Sequence, residues 1–333
     1  MAQRLLDAYH KAVIDEENSA LRRKDKDIWT EVLGSELYNL IEIVEEKNAK
    51  KLADYLINFG SGYIMFGGVT TSVDLFTTIY EQNYVALTYL DKLVSLADAL
   101  GLIPYEMPLS PQSGNNMRVS IDELVDKIEN YLSISISPPA GVIYTDGIVS
   151  SKGIFHYRHL NAIYSASRIQ ALNPNKKPCC EYGGGIGIAA MYARRMGIMD
   201  YTLYDLPITC LLAGHYLLHS VGLESVNLYG EPAQENTIKV LPYWEPINAK
   251  NNQFYLTINQ DSFPEISRSL VEEYLLQIKR TTRKYFLSIN HEGFYPKTVN
   301  LLAEQINGFK RISRSKYWIR EGYLEELFRL QSE

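Results

Sequence analysis

The segment Glu181-Tyr182-Gly183-Gly184-Gly185-Ile186-Gly187 sets a carboxylate two positions ahead of the first of four glycines. Glycine allows a tight turn and lets backbone amides approach a ligand with no side chain between. Eighteen residues after Gly187, the run Tyr201-Thr202-Leu203-Tyr204 ends at Asp205. A carboxylate at the end of the following strand can accept both hydroxyl hydrogens of a ribose, so the pair points to a ligand that contains adenosine. Glu181 suits a ligand with an ammonium group better than one with a pyrophosphate beside it.

Three readings of this motif stay open. S-adenosylmethionine carries an ammonium, a sulfonium and a ribose but no phosphate. NAD is the second, because Gly185-Ile186-Gly187-Ile188-Ala189-Ala190 satisfies the G-x-G-x-x-A fingerprint with Asp205 twenty residues beyond Gly185. The third is a glycine turn that shapes the chain and binds nothing. Glu181 weighs toward the first, and the lack of an evident catalytic tyrosine–lysine pair weighs against an NAD-dependent oxidoreductase.

Proton chemistry has its own candidates. Asp261 follows the fourth strand of the expected sheet, and His291 and Glu292 follow the fifth. His291 is the first choice for a general base, since histidine titrates near neutrality. Asp261 or Glu292 would orient it, or Asp261 would act directly; the plainer alternatives are a loop histidine and a turn carboxylate. Glu265 either caps the helix after Ser267 or binds an acceptor. His156, Arg158 and His159 cluster near residue 157, where Arg158 or Arg168 could bind a cofactor carboxylate or an anionic acceptor; His156 and His159 could reach the same cleft, with ordinary interdomain contacts the plainer alternative. Asp261, His291 and Glu292 have no spacing that fixes a metal, so none is expected. His215 and His219 share a helix face in an apolar setting, which reads as packing.

These residues need elements to hold them. Up to residue 135 the chain reads as helices: 5–18, 35–58 and 73–101 carry apolar residues three and four apart. Ser120 with Glu123 forms a capping-box pattern ahead of another helix. Phe66 to Thr70 reads as a tight loop and 110–118 as a surface loop. Residues 136–177 read as a connector and a leading helix, with Arg158, Asn161, Ser165 and Arg168 on one polar stripe. From 178 to 333, short strand candidates alternate with helical segments, the pattern of a mostly parallel sheet. Thr237 to Leu241 reads as a short added strand, and Trp318, Tyr323, Leu324, Leu327 and Phe328 as an apolar closing element.

The motif Glu-x-Gly-Gly-Gly-x-Gly, followed by Tyr201 to Pro207, resembles the class I S-adenosylmethionine-dependent methyltransferases. More narrowly, His215-Tyr216-Leu217, Asn259 to Ser267 and Ser288 to Glu292 resemble bacterial sugar O-methyltransferases. The resemblance covers roughly residues 155 to 295. It implies an α/β, Rossmann-like catalytic domain over 178–333; the mainly helical region 1–135 before it is expected to contribute the acceptor pocket and a contact for a homo-oligomer. It also implies that Gly183, Gly185 and Gly187 line the methionine and ribose, that Asp205 holds the ribose, that Glu181 orients the ammonium end and that Leu206 covers an adenine face. Tyr182 is bulkier than the residue usual at that place, and the Cys179–Cys180 pair is unusual. A hydroxylated small molecule, a sugar or nucleotide-linked sugar, is the implied acceptor. A catalytically inactive, methyltransferase-like interaction subunit is the remaining alternative.

Composition bounds all of this. The 333 residues carry 33 basic and 39 acidic side chains, a net charge of −6, which argues against nucleic acid held by bulk charge. Three cysteines form neither a disulfide framework nor a zinc pattern, so a reducing, cytoplasmic setting is expected. No apolar run approaches the roughly twenty residues of a membrane span, and the first residues lack the look of a secretory signal.

Overall fold

Strands buried on both faces by crossover helices read as short apolar runs, and those runs become a parallel sheet here. The computed structural model describes residues 1–23, 25–35, 37–57, 82–104, 119–139 and 147–331. The expected loops at 66–70 and 110–118 and the start of the helix expected over 73–101 lie outside the described residues.

Helices α1 (Ala2–Glu16), α2 (Ile28–Ser35), α3 (Tyr38–Glu45), α4 (Ala49–Ile57), α5 (Gln82–Ala99) and α6 (Ile121–Leu132) come first. The single helix expected over 35–58 is two. Lys47 adopts a left-handed φ of 55°, and the Asn48 side chain accepts the Lys51 amide at 3.0 Å, which starts a new helix. The capping box at α6 forms as read: Ser120 accepts the Glu123 amide at 3.1 Å and Glu123 accepts that of Ser120 at 3.3 Å.

A hairpin of β1 (Ile148–Ser150) and β2 (Gly153–Phe155) leads into α7 (Tyr157–Leu172). Then β3 (Cys179–Tyr182), α8 (Ile188–Arg195), β4 (Tyr201–Asp205), α9 (Pro207–Val221), β5 (Val226–Leu228), β6 (Ile238–Pro242), β7 (Phe254–Gln260), α10 (Arg268–Thr281), β8 (Thr282–His291), α11 (Val299–Glu304), β9 (Phe309–Lys316) and β10 (Tyr323–Leu330) follow. The sheet order is β5-β6-β4-β3-β7-β8-β10-β9. From β5 to β8 all pairs are parallel, and β10 pairs antiparallel with β8 and β9. This is a Rossmann-like α/β sheet. The segment expected as an added strand, β6, lies inside the sheet, and β5 takes the edge. The closing element is the β9–β10 hairpin; Phe328 is buried, whereas Trp318 is exposed.

The chain runs from β3 to β4 on one side, then returns across β3 to β7 on the other. That reversal opens a crevice at the carboxyl ends of β3, β4 and β7, where open α/β sheets hold ligands. Register levels the three ends, with Tyr182 beside both Tyr204 and Asn259.

The apolar core does not stop at residue 135. Leu5 and Leu6 of α1, Leu40 of α3 and Leu52 of α4 share one cluster with Leu203, Leu217 and Val240 of the sheet layer. A second cluster on the other face contains Tyr182, Tyr204, Phe263, Tyr274, Phe286 and Phe328. Tyr182 is bulky because it fills this cluster, its ring 4.9 Å from Tyr274 and 5.2 Å from Tyr204. Each such ring contributes about 1.5–3 kcal/mol by burial. No described helix is long and apolar enough to cross a membrane.

Candidate functional site

The glycine turn leaves β3 with Gly183 at φ 69° and enters α8 with Gly187 at φ 83°, conformations that L side chains rarely adopt. A Cβ on Gly183 would stand 2.0 Å from Ser262 Oγ, and one on Gly187 would stand 2.9 Å from Leu217 Cδ1. The turn is thus wedged between the β7 end and α9. Asp205 locks it from β4: Oδ2 accepts the Gly185 amide at 2.9 Å, and Oδ1 accepts the Leu206 amide at 2.7 Å. Lone pairs remain on both oxygens for further donors.

A solvent-open cleft of about 1050 Å³ lies over this turn. Glu181, Gly183, Gly185, Asp205, Leu206, Arg158, Asp261 and Glu265 line it. Its acids outnumber its bases. Burial pushes the Glu181 carboxyl up to about 7, although the Tyr201 hydroxyl donates to it at 2.9 Å. Burial likewise pushes Asp205 up to about 6 against the pull of its two amides. Glu265 rises to about 8 through burial and the nearby Asp261. Asp261 behaves otherwise: burial raises it, but Arg158 and Arg320, with the Tyr323 hydroxyl, hold it below the usual carboxylate value.

Asp261 is the most constrained of these residues. Its φ is 68°, its amide donates to the Ile289 carbonyl at 2.9 Å, and Arg158 reaches its Oδ2 at 3.3 Å. Arg320 donates to the same oxygen and the Tyr323 hydroxyl to the other.

Five expected placements differ. His291 is not in the cleft lining. It ends β8, two strands from β3, and its Nδ1 accepts the Gly293 amide at 3.1 Å while its ring packs on Tyr323 and Phe294. Asp261 and the His291 turn do adjoin, as neighbouring strand ends must, and Tyr323 touches both: its hydroxyl donates to the Asp261 carboxylate and its ring packs on the imidazole. Glu292 turns away and binds Arg314 through two bonds of 2.8 and 3.0 Å. Arg168 reaches Glu325 at 2.9 Å, across the α7–β10 contact, because the stripe Arg158-Asn161-Ser165-Arg168 leaves the cleft after its first turn. His156 is fully buried as the N-cap of α7, accepting the Arg158 amide at 3.2 Å, and burial holds it neutral. Gly187 lies off the lining, against Leu217.

Other lining residues carried little local signal. Arg23 and Trp29 come from the helical region, and the Arg23 amide donates to Tyr243 Oη at 3.0 Å. Asn161 is 5% exposed, and its Oδ1 has no hydrogen-bond partner among the described residues. An inward acceptor of that kind calls for a donor from a ligand or water. Its place on the polar stripe was the one available hint. A ladder of buried amides also ties the strand ends: Asn290 donates to Asn259 at 2.8 Å, and Asn259 to the Tyr182 carbonyl at 2.8 Å. Among the described residues, no three His, Cys, Asp or Glu side chains converge as a metal site would need.

No family model matches this sequence. No curated protein matches it. Solved structures of similar shape include the PH0226 protein of Pyrococcus horikoshii OT3, 13% identical, covering 50% of this chain and 90% of that one at a TM-score of 0.37. The mitomycin 7-O-methyltransferase MmcR is 13% identical over 53% of this chain and 56% of its own, at 0.38. A predicted O-methyltransferase, Atu636 of Agrobacterium tumefaciens, is 15% identical over 51% and 81%, at 0.38. Likenesses this distant say nothing of activity or acceptor.

Proposed function

We propose that the chain is an S-adenosylmethionine-dependent O-methyltransferase acting on a hydroxyl of a small molecule, a sugar or nucleotide-linked sugar. The acid excess of the glycine-turn cleft carries this reading. Glu181, Asp205, Asp261 and Glu265 face it against Arg23 and Arg158, and three of the acids are held above their ordinary values. Such a cleft favours a ligand rich in positive charge and hydroxyl donors and disfavours a pyrophosphate, so it supports this cofactor over NAD. Its openness weighs against an inactive subunit with a filled cleft.

When bound, the cofactor supplies a methyl group activated by a sulfonium. Asp205 holds the ribose hydroxyls with its remaining lone pairs while keeping the turn closed through Gly185. Glu181 takes the ammonium end, and Asn161 Oδ1, without a hydrogen-bond partner among the described residues, takes a further donor. The acceptor meets Arg158, Gln260, Asp261 and Glu265, a polar wall suited to a molecule with several hydroxyls. Orientation by such a wall would hold an acceptor oxygen ready for the methyl group the cofactor would supply.

A screen with labelled cofactor across sugars, nucleotide sugars and phenolic scaffolds, with mass analysis of products, tests the reading. Methylation of a sugar hydroxyl is expected. A phenolic product alone would remove the sugar, and a nitrogen-linked methyl would remove O-transfer.

A further inference from the structure

Among the cleft acids, Glu265 alone has a side chain with no hydrogen bond or ion pair to the described residues. Glu181 has the Tyr201 hydroxyl, Asp205 has two amides, and Asp261 has two guanidiniums and a phenol. The stem of Glu265 is nonetheless fixed. It ends the 3-10 turn Phe263–Glu265, its amide donates to the Ser262 carbonyl at 3.0 Å, and the Phe263 ring is buried against Tyr274 and Phe286. A rigid stem thus presents an unengaged carboxyl to the cleft.

The charged groups around it come from several elements. Asp261 at the end of β7 and Asp205 at the end of β4 repel its charge, while Arg158 of α7 and Arg320 of the β9–β10 turn attract it. Tyr323 of β10 lies near enough to feel it, and Glu181 and Arg23 share the cleft. Both arginines are already turned to Asp261. Asp261 could accept a proton only by giving up those ion pairs. Glu265 has nothing to give up.

We propose that Glu265 is the group that takes the acceptor's hydroxyl proton, and that a cationic cofactor ionises it for that task. This rests on the methyltransferase reading of the cleft. Glu265 is held mostly protonated before binding, because burial and Asp261 disfavour its charge. A sulfonium in the cleft reverses that balance and expels the proton. The resulting carboxylate takes the hydroxyl proton as the oxygen–methyl bond forms and the sulfur–methyl bond breaks, its electron pair staying on sulfur. Charge balances: carboxylate, alcohol and sulfonium become carboxylic acid, ether and neutral thioether. Asp261, clamped by Arg158, Arg320 and Tyr323, is a positioning residue.

The test needs no acceptor. Calorimetric titration of the full chain at pH 7.5, in buffers of different ionisation enthalpy, counts protons released on binding S-adenosylmethionine or S-adenosylhomocysteine. The two share ammonium, carboxylate and ribose and differ in the sulfonium, so the difference reads the cleft carboxyls that the sulfonium charge ionises, and the Glu265 variant assigns it. S-adenosylmethionine should release roughly half a proton more per site. That excess should vanish in Glu265→Gln, with affinity for S-adenosylhomocysteine kept within about threefold. If Glu265→Gln does not fold, Glu265→Asp is the second variant and should lower the excess. Equal release by the two ligands in the parent protein, or an excess unchanged in the folded variant, overturns the proposal. Binding of neither ligand overturns the methyltransferase reading beneath it.

Discussion

The Tyr201 hydroxyl donates to Glu181 Oε2 at 2.9 Å, across the neighbouring strands β4 and β3, and both side chains are buried. They are diagonal neighbours on one face of the sheet, since Cys179 pairs with Tyr201 and Glu181 with Leu203. One neutral donor does not offset the loss of water around a carboxylate, and that imbalance leaves room for a cationic ligand.

The imbalance has a signature in pH. Burial raises Glu181 from 4.5 to about 7, so between those values the folded state binds more protons than the unfolded one. Stability therefore falls as pH rises through that window, and the full penalty stands above it. Glu181→Gln should be more stable than the parent at pH 8 by about 1–3 kcal/mol and no different near pH 4.5. Thermal melts across pH check this. A variant less stable than the parent at pH 8 would mean that the charge of Glu181 is already compensated.

Gly183→Ala should destabilise by about 1–3 kcal/mol, since it adds a Cβ at positive φ. That atom would meet Ser262 Oγ at 2.0 Å. Gly34→Ala in α2, where a Cβ meets nothing within 4 Å, should be neutral or stabilise by up to about 1 kcal/mol. Equal melting curves for the two variants would contradict the wedged turn.

Arg168 is expected to matter for stability and not for the cofactor. Glu325 is 4% exposed and is held by Arg168 at 2.9 Å and by the Tyr164 hydroxyl at 2.6 Å. Arg168→Ala should cost about 1–3 kcal/mol by leaving that carboxylate with one donor. Chemical denaturation reads the loss, and titration with S-adenosylhomocysteine should show affinity changed by less than about twofold. A large loss of affinity in a stable variant would return Arg168 to the cofactor.

The glycine-turn end of the cleft was legible because its geometry is local. Glu181, Gly183, Gly185 and Asp205 each sit within a few residues of a strand end, and a parallel sheet brings consecutive strand ends together. The Asp261 end was not, because its geometry is long-range. Asp261 is governed by Arg158, Arg320 and Tyr323, which are 103, 59 and 62 residues away. His291 looked equivalent to Asp261 from its position after a strand. Insertion of β10 beside β8 pairs Tyr323 with His291, and it is the Tyr323 phenol that donates to Asp261. The break at Lys47 was hidden because the apolar period runs on through α3 and α4.

The most direct test is calorimetric titration of the parent and Asp205→Ala with S-adenosylmethionine, S-adenosylhomocysteine and NAD. The parent should bind the first two and not NAD. Asp205→Ala should stay folded and bind both adenosyl ligands about 10- to 100-fold more weakly, as expected when a charged hydrogen-bond acceptor is lost. Binding of NAD alone by the parent, or undiminished adenosyl affinity in the folded variant, would contradict the assignment of this cleft.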